Sequence, residues 1–131
     1  MAWGVQLSPV LQLASARPYN LLAGSDLNGD GTATGAGGDR WVDPATGVQA
    51  SRNSARGDHT FVFDLRATKF LPLGGERRIG LFAELFNLFN TANFGAEYNG
   101  NGRSSAFRQA TGFIPGIGYP RQAQLGARFL F

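Results

Sequence analysis

The chain has 131 residues, 19 of them Gly and 11 Phe, with only 16% charged residues, no Cys and a net charge of +3. That length allows one modest domain, and zero cysteines excludes a disulfide scaffold, a thiolate metal site and a cysteine nucleophile. Eleven of the 12 basic residues are arginines scattered along the chain, whereas nucleic-acid binders gather basic residues on one face, so no nucleic-acid partner is expected.

The N-terminal "MAWGVQLSPV" lacks a basic n-region and a continuous apolar run, so it does not read as a secretory signal; taken as a complete gene product, the chain would carry no visible export address. No apolar run reaches the ~18 residues of a membrane-spanning helix. Residues 5–15 alternate instead: Val5, Leu7, Leu11 and Leu13 share one parity against Gln6, Ser8 and Gln12. Pro9 lies within the run and cannot donate to a ladder, so this strand is expected at an edge or irregular.

Residues 16–58 form a long Gly-, Asp- and Asn-rich connection holding the chain's most suggestive short motif, "DLNGDG" at 26–31. Asp26, Asn28 and Asp30 at alternate positions, followed by Gly31, match the first half of a calcium loop, where alternate oxygens converge on one hard cation. The twelfth position is Gly37 rather than a bidentate Glu, which rules out an EF-hand. Asp39 or Asp43 would have to close the site, with Thr32 adding a carbonyl. The competing reading is an Asx/Gly turn in a polar loop. "RGD" at 56–58 is an adhesion-type tripeptide that arises readily by chance, and His59, the sole histidine, excludes a multi-histidine site.

Residues 59–71 give the clearest strand. Phe61, Phe63, Leu65, Ala67 and Leu71 alternate with Thr60, Asp64, Arg66 and Thr68. "PLGGER" at 72–77 reads as a tight turn. Residues 78–90 stay ambiguous: Ile79, Leu81, Ala83 and Leu85 suit a strand face, yet Leu81, Leu85 and Leu88 also fall at helical spacing. Strands on both sides favour a strand. Asn87, Asn90 and Asn93 suit a strand end and the loop beyond it. Residues 91–121 are a second long loop, ending in the proline- and glycine-bearing "FIPGIGYPRQ".

The last segment, 122–131, alternates again: Ala123, Leu125, Ala127, Phe129 and Phe131 against Gln122, Gln124 and Arg128. Termini are usually polar and frayed, so a chain ending on an apolar strand with a terminal Phe needs a reason. Asp64, Arg66, Glu84 and Arg128 are the only candidates for a catalytic acid–base set. On a barrel wall such groups serve as solvated or ion-paired lining, so no enzymatic role is expected.

The fold expected is all-β: an antiparallel up-and-down meander of about four strands (5–15, 59–71, 78–90, 122–131) in a single unit over 1–131. It has the form of a partial outer-membrane-type barrel with two long loops, and the long–short–long rhythm is that of membrane barrels. If the turn at 72–77 is periplasmic, Phe131 also lies in the periplasm.

The ordered series "SARPYNLLAGSDLNGDG", "DRW", "SRNSARG", "FDLRATKFLPLG", "FAELFNLFNTANF" and "PRQAQLGARFLF" resembles the C-terminal end of TonB-dependent outer-membrane receptors, most closely those with a carboxypeptidase-regulatory-like N-terminal domain. The resemblance implies a bacterial outer-membrane location and a barrel wall in contact with lipid. It also implies that Leu125, Ala127, Phe129 and Phe131 form the signal read by the barrel-assembly machinery. Such receptors have about 22 strands around a plug, so four strands imply partners: the remaining strands of a larger barrel, or copies of the chain itself. The second case gives a different reading, a small extracellular structural protein that polymerises into filaments by strand addition, with calcium as its possible stabiliser.

Overall fold

The computed structural model describes residues 4–131. It is all-β apart from a single 3-10 turn at Gly35–Gly37. Among the described residues six strands form: β1 (Val5–Ala14), β2 (Pro18–Tyr19), β3 (Ala55–Arg56), β4 (Thr60–Gly74), β5 (Arg77–Phe86) and β6 (Gln122–Leu130). The chain gathers into two compact units.

The strand unit comprises residues 4–13, 61–92 and 119–131. It holds a four-stranded sheet in the order β1-β4-β5-β6, with β4–β5 and β5–β6 antiparallel. Strand order follows chain order, which is the expected meander. The turn expected at 72–77 is shorter in fact. The β4–β5 ladder runs through a bulge to Gly74↔Arg77, and Gly74 (φ 102°) and Gly75 (φ 60°) take the left-handed values that a tight hairpin needs.

The ambiguous segment is a strand, but it ends at Phe86 rather than continuing to residue 90. Asn87 (φ 48°) and Asn90 (φ 54°) are left-handed, a conformation that asparagine tolerates and that breaks the ladder. The buried Asn87 side chain then replaces the lost pairing. Its Nδ2 donates to the carbonyls of Thr91 and Tyr119, both at 2.9 Å, and its Oδ1 accepts from the Thr91 N–H at 3.0 Å. Asn90 Oδ1 accepts the Arg121 N–H at 2.9 Å. These bonds tie the end of β5 to the segment that enters β6.

The loop unit comprises residues 14–60 and 93–118, and its Gly-, Asp- and Asn-rich stretch 16–58 has too little apolar content to hold one shape by burial. Backbone pairing orders it instead. The segment around Leu21, 2% exposed, pairs on two sides: the Leu22 N–H donates to the Gly100 carbonyl (2.8 Å), and the Trp41 N–H donates to the Leu21 carbonyl (3.1 Å). A small antiparallel β2–β3 ladder adds to this. Two hairpin-like turns complete the unit, one closed by Ala50 N–H to Trp41 carbonyl and the other by Thr111 N–H to Glu97 carbonyl, both 2.8 Å.

Candidate functional site: the two faces of the sheet

Register assigns each side chain of the strand unit to a face. On one face the cross-strand rows read Leu65–Leu85–Ala123, Ala67–Ala83–Leu125, Lys69–Leu81–Ala127 and Leu71–Ile79–Phe129. Lys69 is the single charge in these rows. They are not covered: Leu125 is 82% exposed and Leu81 42%. Among the described residues only Leu21 and Val62 are buried apolar side chains, against eighteen large exposed ones. That inverts the pattern of a water-soluble domain, which seldom leaves wide apolar patches open.

Aromatic clusters bound this face at both ends. Phe89 packs against Phe61 and Phe63, with ring centroids 5.9 and 5.4 Å apart, and Phe129 lies 5.8 Å from Phe131. Phe129 stands in the row of Leu71. The ten residue steps from Phe61 to Leu71 span ~33 Å along a strand, or ~25 Å at a barrel tilt of ~40°, the height of the apolar band of outer-membrane barrels. Aromatic girdles at both margins of such a band are the lipid–water boundaries.

The opposite face is polar and interlocked. Arg66 forms an ion pair with Glu84 at 3.2 Å and lies 4.4 Å over the Phe82 ring, and Phe82 in turn covers Gly126. One register step away, Phe70 covers Gly80 beneath the guanidiniums of Arg78 (5.1 Å) and Arg128 (5.6 Å). At the half-exposed Arg66 the ion pair contributes no more than about 1 kcal/mol, so it aligns strands more than it stabilises them. A shallow depression of about 180 Å³ near Arg66 and Glu84 is lined also by Ser8 and Val10 of β1 and by Asp64. Asp64 accepts the Asn87 N–H at 2.8 Å, a structural task at the strand end.

The match with known proteins agrees with this two-faced sheet: residues 1–124 fit the outer membrane beta barrel domain. The chain belongs to that family. No curated protein and no solved structure matches it. In an outer-membrane barrel the apolar rows face lipid and the arginine–phenylalanine rows face the lumen. No helix among the described residues is long and apolar enough to cross a membrane, and a barrel crosses with strands instead. Leu125, Ala127, Phe129 and Phe131 lie beyond the matched residues; Phe131 is 94% exposed, one residue past the β6 edge strand.

In the loop unit, the structure brings Asp39 to the 26–31 turn and leaves Asp43 in the separate 41–50 hairpin. Asp39 Oδ2 accepts the N–H groups of Leu27 and Asn28. Asp26 accepts three backbone N–H groups, from Gly29 (2.7 Å), Asp30 (3.2 Å) and Gly31 (2.8 Å). Asn28 Nδ2 donates to Asp30 Oδ2 at 3.0 Å, and Asp30 Oδ1 accepts the Thr32 N–H at 2.8 Å. The Asn28 amide first, then the Thr32 N–H, holds the Asp30 carboxyl below its usual range. Among the described residues no three His, Cys, Asp or Glu side chains gather as a metal site. Asp58 of the RGD stretch is engaged too, since its Oδ2 accepts the Tyr98 hydroxyl.

That last bond has a pH signature. Donation to Asp58, followed by desolvation and the nearby negative charge, pushes the Tyr98 hydroxyl up to about 12 from 10.0. A raised value favours the protonated tyrosine, so the contribution of this contact is complete below pH ~10 and vanishes as pH rises through ~12. Ultraviolet titration of tyrosinate is expected to show one tyrosine ionising near 12, and Asp58→Asn should bring that step down. An unchanged titration in the variant would refute the contact.

Proposed function

We propose that the chain supplies wall strands of a TonB-dependent outer-membrane receptor, with β1 and β6 pairing to the remaining strands of a larger barrel. The reading is supported by the apolar face bounded by aromatic clusters on a four-stranded sheet whose two outer strands have an unpaired edge. Four strands cannot close, and an open edge in lipid leaves backbone groups unsatisfied. The ordered sequence resemblance supplies the receptor type. In this reading the loop unit is extracellular, the terminal residues up to Phe131 are read by the barrel-assembly machinery, and the role is transport rather than catalysis.

The genomic coding sequence around this chain tests the receptor type. A plug domain and about eighteen further strands in frame are expected; a barrel with no plug would leave the family and remove the TonB-dependent assignment. The same two edges also support a second reading, an extracellular polymer formed by strand addition. Electron microscopy separates the two: fibres in plain buffer favour the polymer, and particles that need detergent favour the barrel.

Calcium is the cofactor of this proposal, held by Asp26, Asn28, Asp30 and Asp39 with the carbonyl of Thr32. Asp39 reaches the same turn, where its carboxylate accepts the N–H groups of Leu27 and Asn28, and calcium would have to draw it and the Asp26 carboxylate away from those donors. Without a bidentate Glu the affinity belongs in the ~10⁻⁴–10⁻³ M class of extracellular modules. Millimolar calcium is expected to slow proteolysis within 16–58 severalfold, and Asp26→Ala with Asp30→Ala should abolish that protection. Equal cleavage with calcium and with chelator would show the motif to be a turn only.

A further inference from the structure

The loop unit carries a depression of about 400 Å³ between its two hairpins, lined among others by Trp41, Asp43, Thr46, Gln49, Ser54 and Arg108. That volume lies within the range of small-ligand sites. Arg108 is the unusual member. Among the described residues it is one of four non-glycine residues with positive φ (62°), a conformation that costs a side chain with a Cβ and clusters at binding sites. Its N–H is fixed to the Asn99 carbonyl at 2.7 Å, and its guanidinium rests over the Trp41 and Phe107 rings at 5.5 and 5.4 Å. Among the described residues no carboxylate pairs with it. Stacking holds the planar fork in place while leaving its N–H donors open for a carboxylate.

Asp43 lines the same depression and is equally well fixed. Its Oδ1 accepts the Ala45 N–H at 2.9 Å, its own N–H donates to the Val48 carbonyl at 2.9 Å, and its carbonyl accepts the Gly47 N–H at 2.8 Å. The remaining carboxylate capacity suits an ammonium. Thr46, Gln49 and Ser54 add neutral donors and acceptors around the pair.

We infer that this depression binds a small zwitterion, an amino acid or short peptide, with its carboxylate on Arg108 and its ammonium on Asp43. The inference goes beyond the barrel role and does not rest on it, because every residue named lies in the loop unit.

The test is calorimetric titration of the full chain in detergent with L-leucine and with triglycine, which distinguish a free amino acid from a peptide. Saturable millimolar or tighter binding of one of them is expected. Triglycine amide and N-acetyl-triglycine, or for leucine its amide and N-acetyl form, should bind about tenfold to a hundredfold more weakly, the loss of one charged hydrogen-bonded contact. Two variants keep the local fold. Arg108→Asn suits the left-handed backbone, and Asp43→Asn keeps the acceptor for Ala45 while removing the charge. Each should weaken binding by a similar factor. No saturable binding of either probe, or binding unaffected by the blocked ends or the two variants, would overturn the inference.

Discussion

Leu125→Arg is expected to cost the assembled chain about 2–4 kcal/mol in a lipid bilayer, the penalty for a cation on the lipid face near the bilayer midplane. The position is decided by register. Leu125 stands in one row with Ala67 and Ala83, close to the middle of the span from Phe61 to Leu71. In a water-soluble sheet a side chain 82% exposed would accept arginine within about 0.5 kcal/mol. Gln124→Arg, one residue earlier and on the lumen face beside Glu84, is the matched control and should be nearly neutral. Urea titration of the chain assembled in lipid vesicles reads the difference directly. Equal stability of the two variants would contradict the assignment of faces.

Gly126→Val should be the next most damaging change. A Cβ at Gly126 would lie 2.2 Å from Phe82 Cζ, and Phe82 is clamped from above by the Arg66 guanidinium at 4.4 Å. Neither neighbour can move without loss, because Arg66 is also paired with Glu84. Overpacking of this kind costs about 1–3 kcal/mol. The proof lies in the double variant: with Phe82→Ala the clash disappears, so Gly126→Val should cost much less in that background. Strictly additive effects of the two changes would show that ring and glycine do not interlock.

Much of the sheet was legible locally, because alternation is a property of consecutive residues. The parity of Phe61, Phe63, Leu65 and Ala67, and that of Ala123, Leu125 and Ala127, placed both strands and their faces correctly. Leu81, Leu85 and Leu88 satisfied helix and strand spacing together, and only pairing with β4 and β6 decides between them. The end of β5 at Phe86 depends on the left-handed backbone of Asn87, which its sequence permits but does not require. The aromatic margins were missed for a related reason. Phe89 meets Phe61 and Phe63 only once the register is known.

The loop unit was less legible still. Its order comes from backbone pairing of Leu21 and Leu22 with segments distant in sequence, and such pairing leaves no periodic trace. "DLNGDG" announced its own turn, since Asp26 and Asn28 bond to N–H groups within a few residues, whereas Asp39 meets the turn from further along the chain by accepting the Leu27 and Asn28 N–H groups. The Trp41–Arg108 pocket gave no signal, because its two walls are far apart in the chain.

The central claim is that one face of this sheet meets lipid and the other water. The chain has no cysteine, so single cysteines at positions 122–125 and 127–129, which spare the crowded Gly126, can each carry a spin label without background. In lipid vesicles, labels at 123, 125, 127 and 129 should be relaxed by oxygen dissolved in the bilayer, and those at 122, 124 and 128 by a water-soluble nickel complex. A period-two alternation between the two quenchers is the predicted result; uniform access of the nickel complex to both sets would contradict the account.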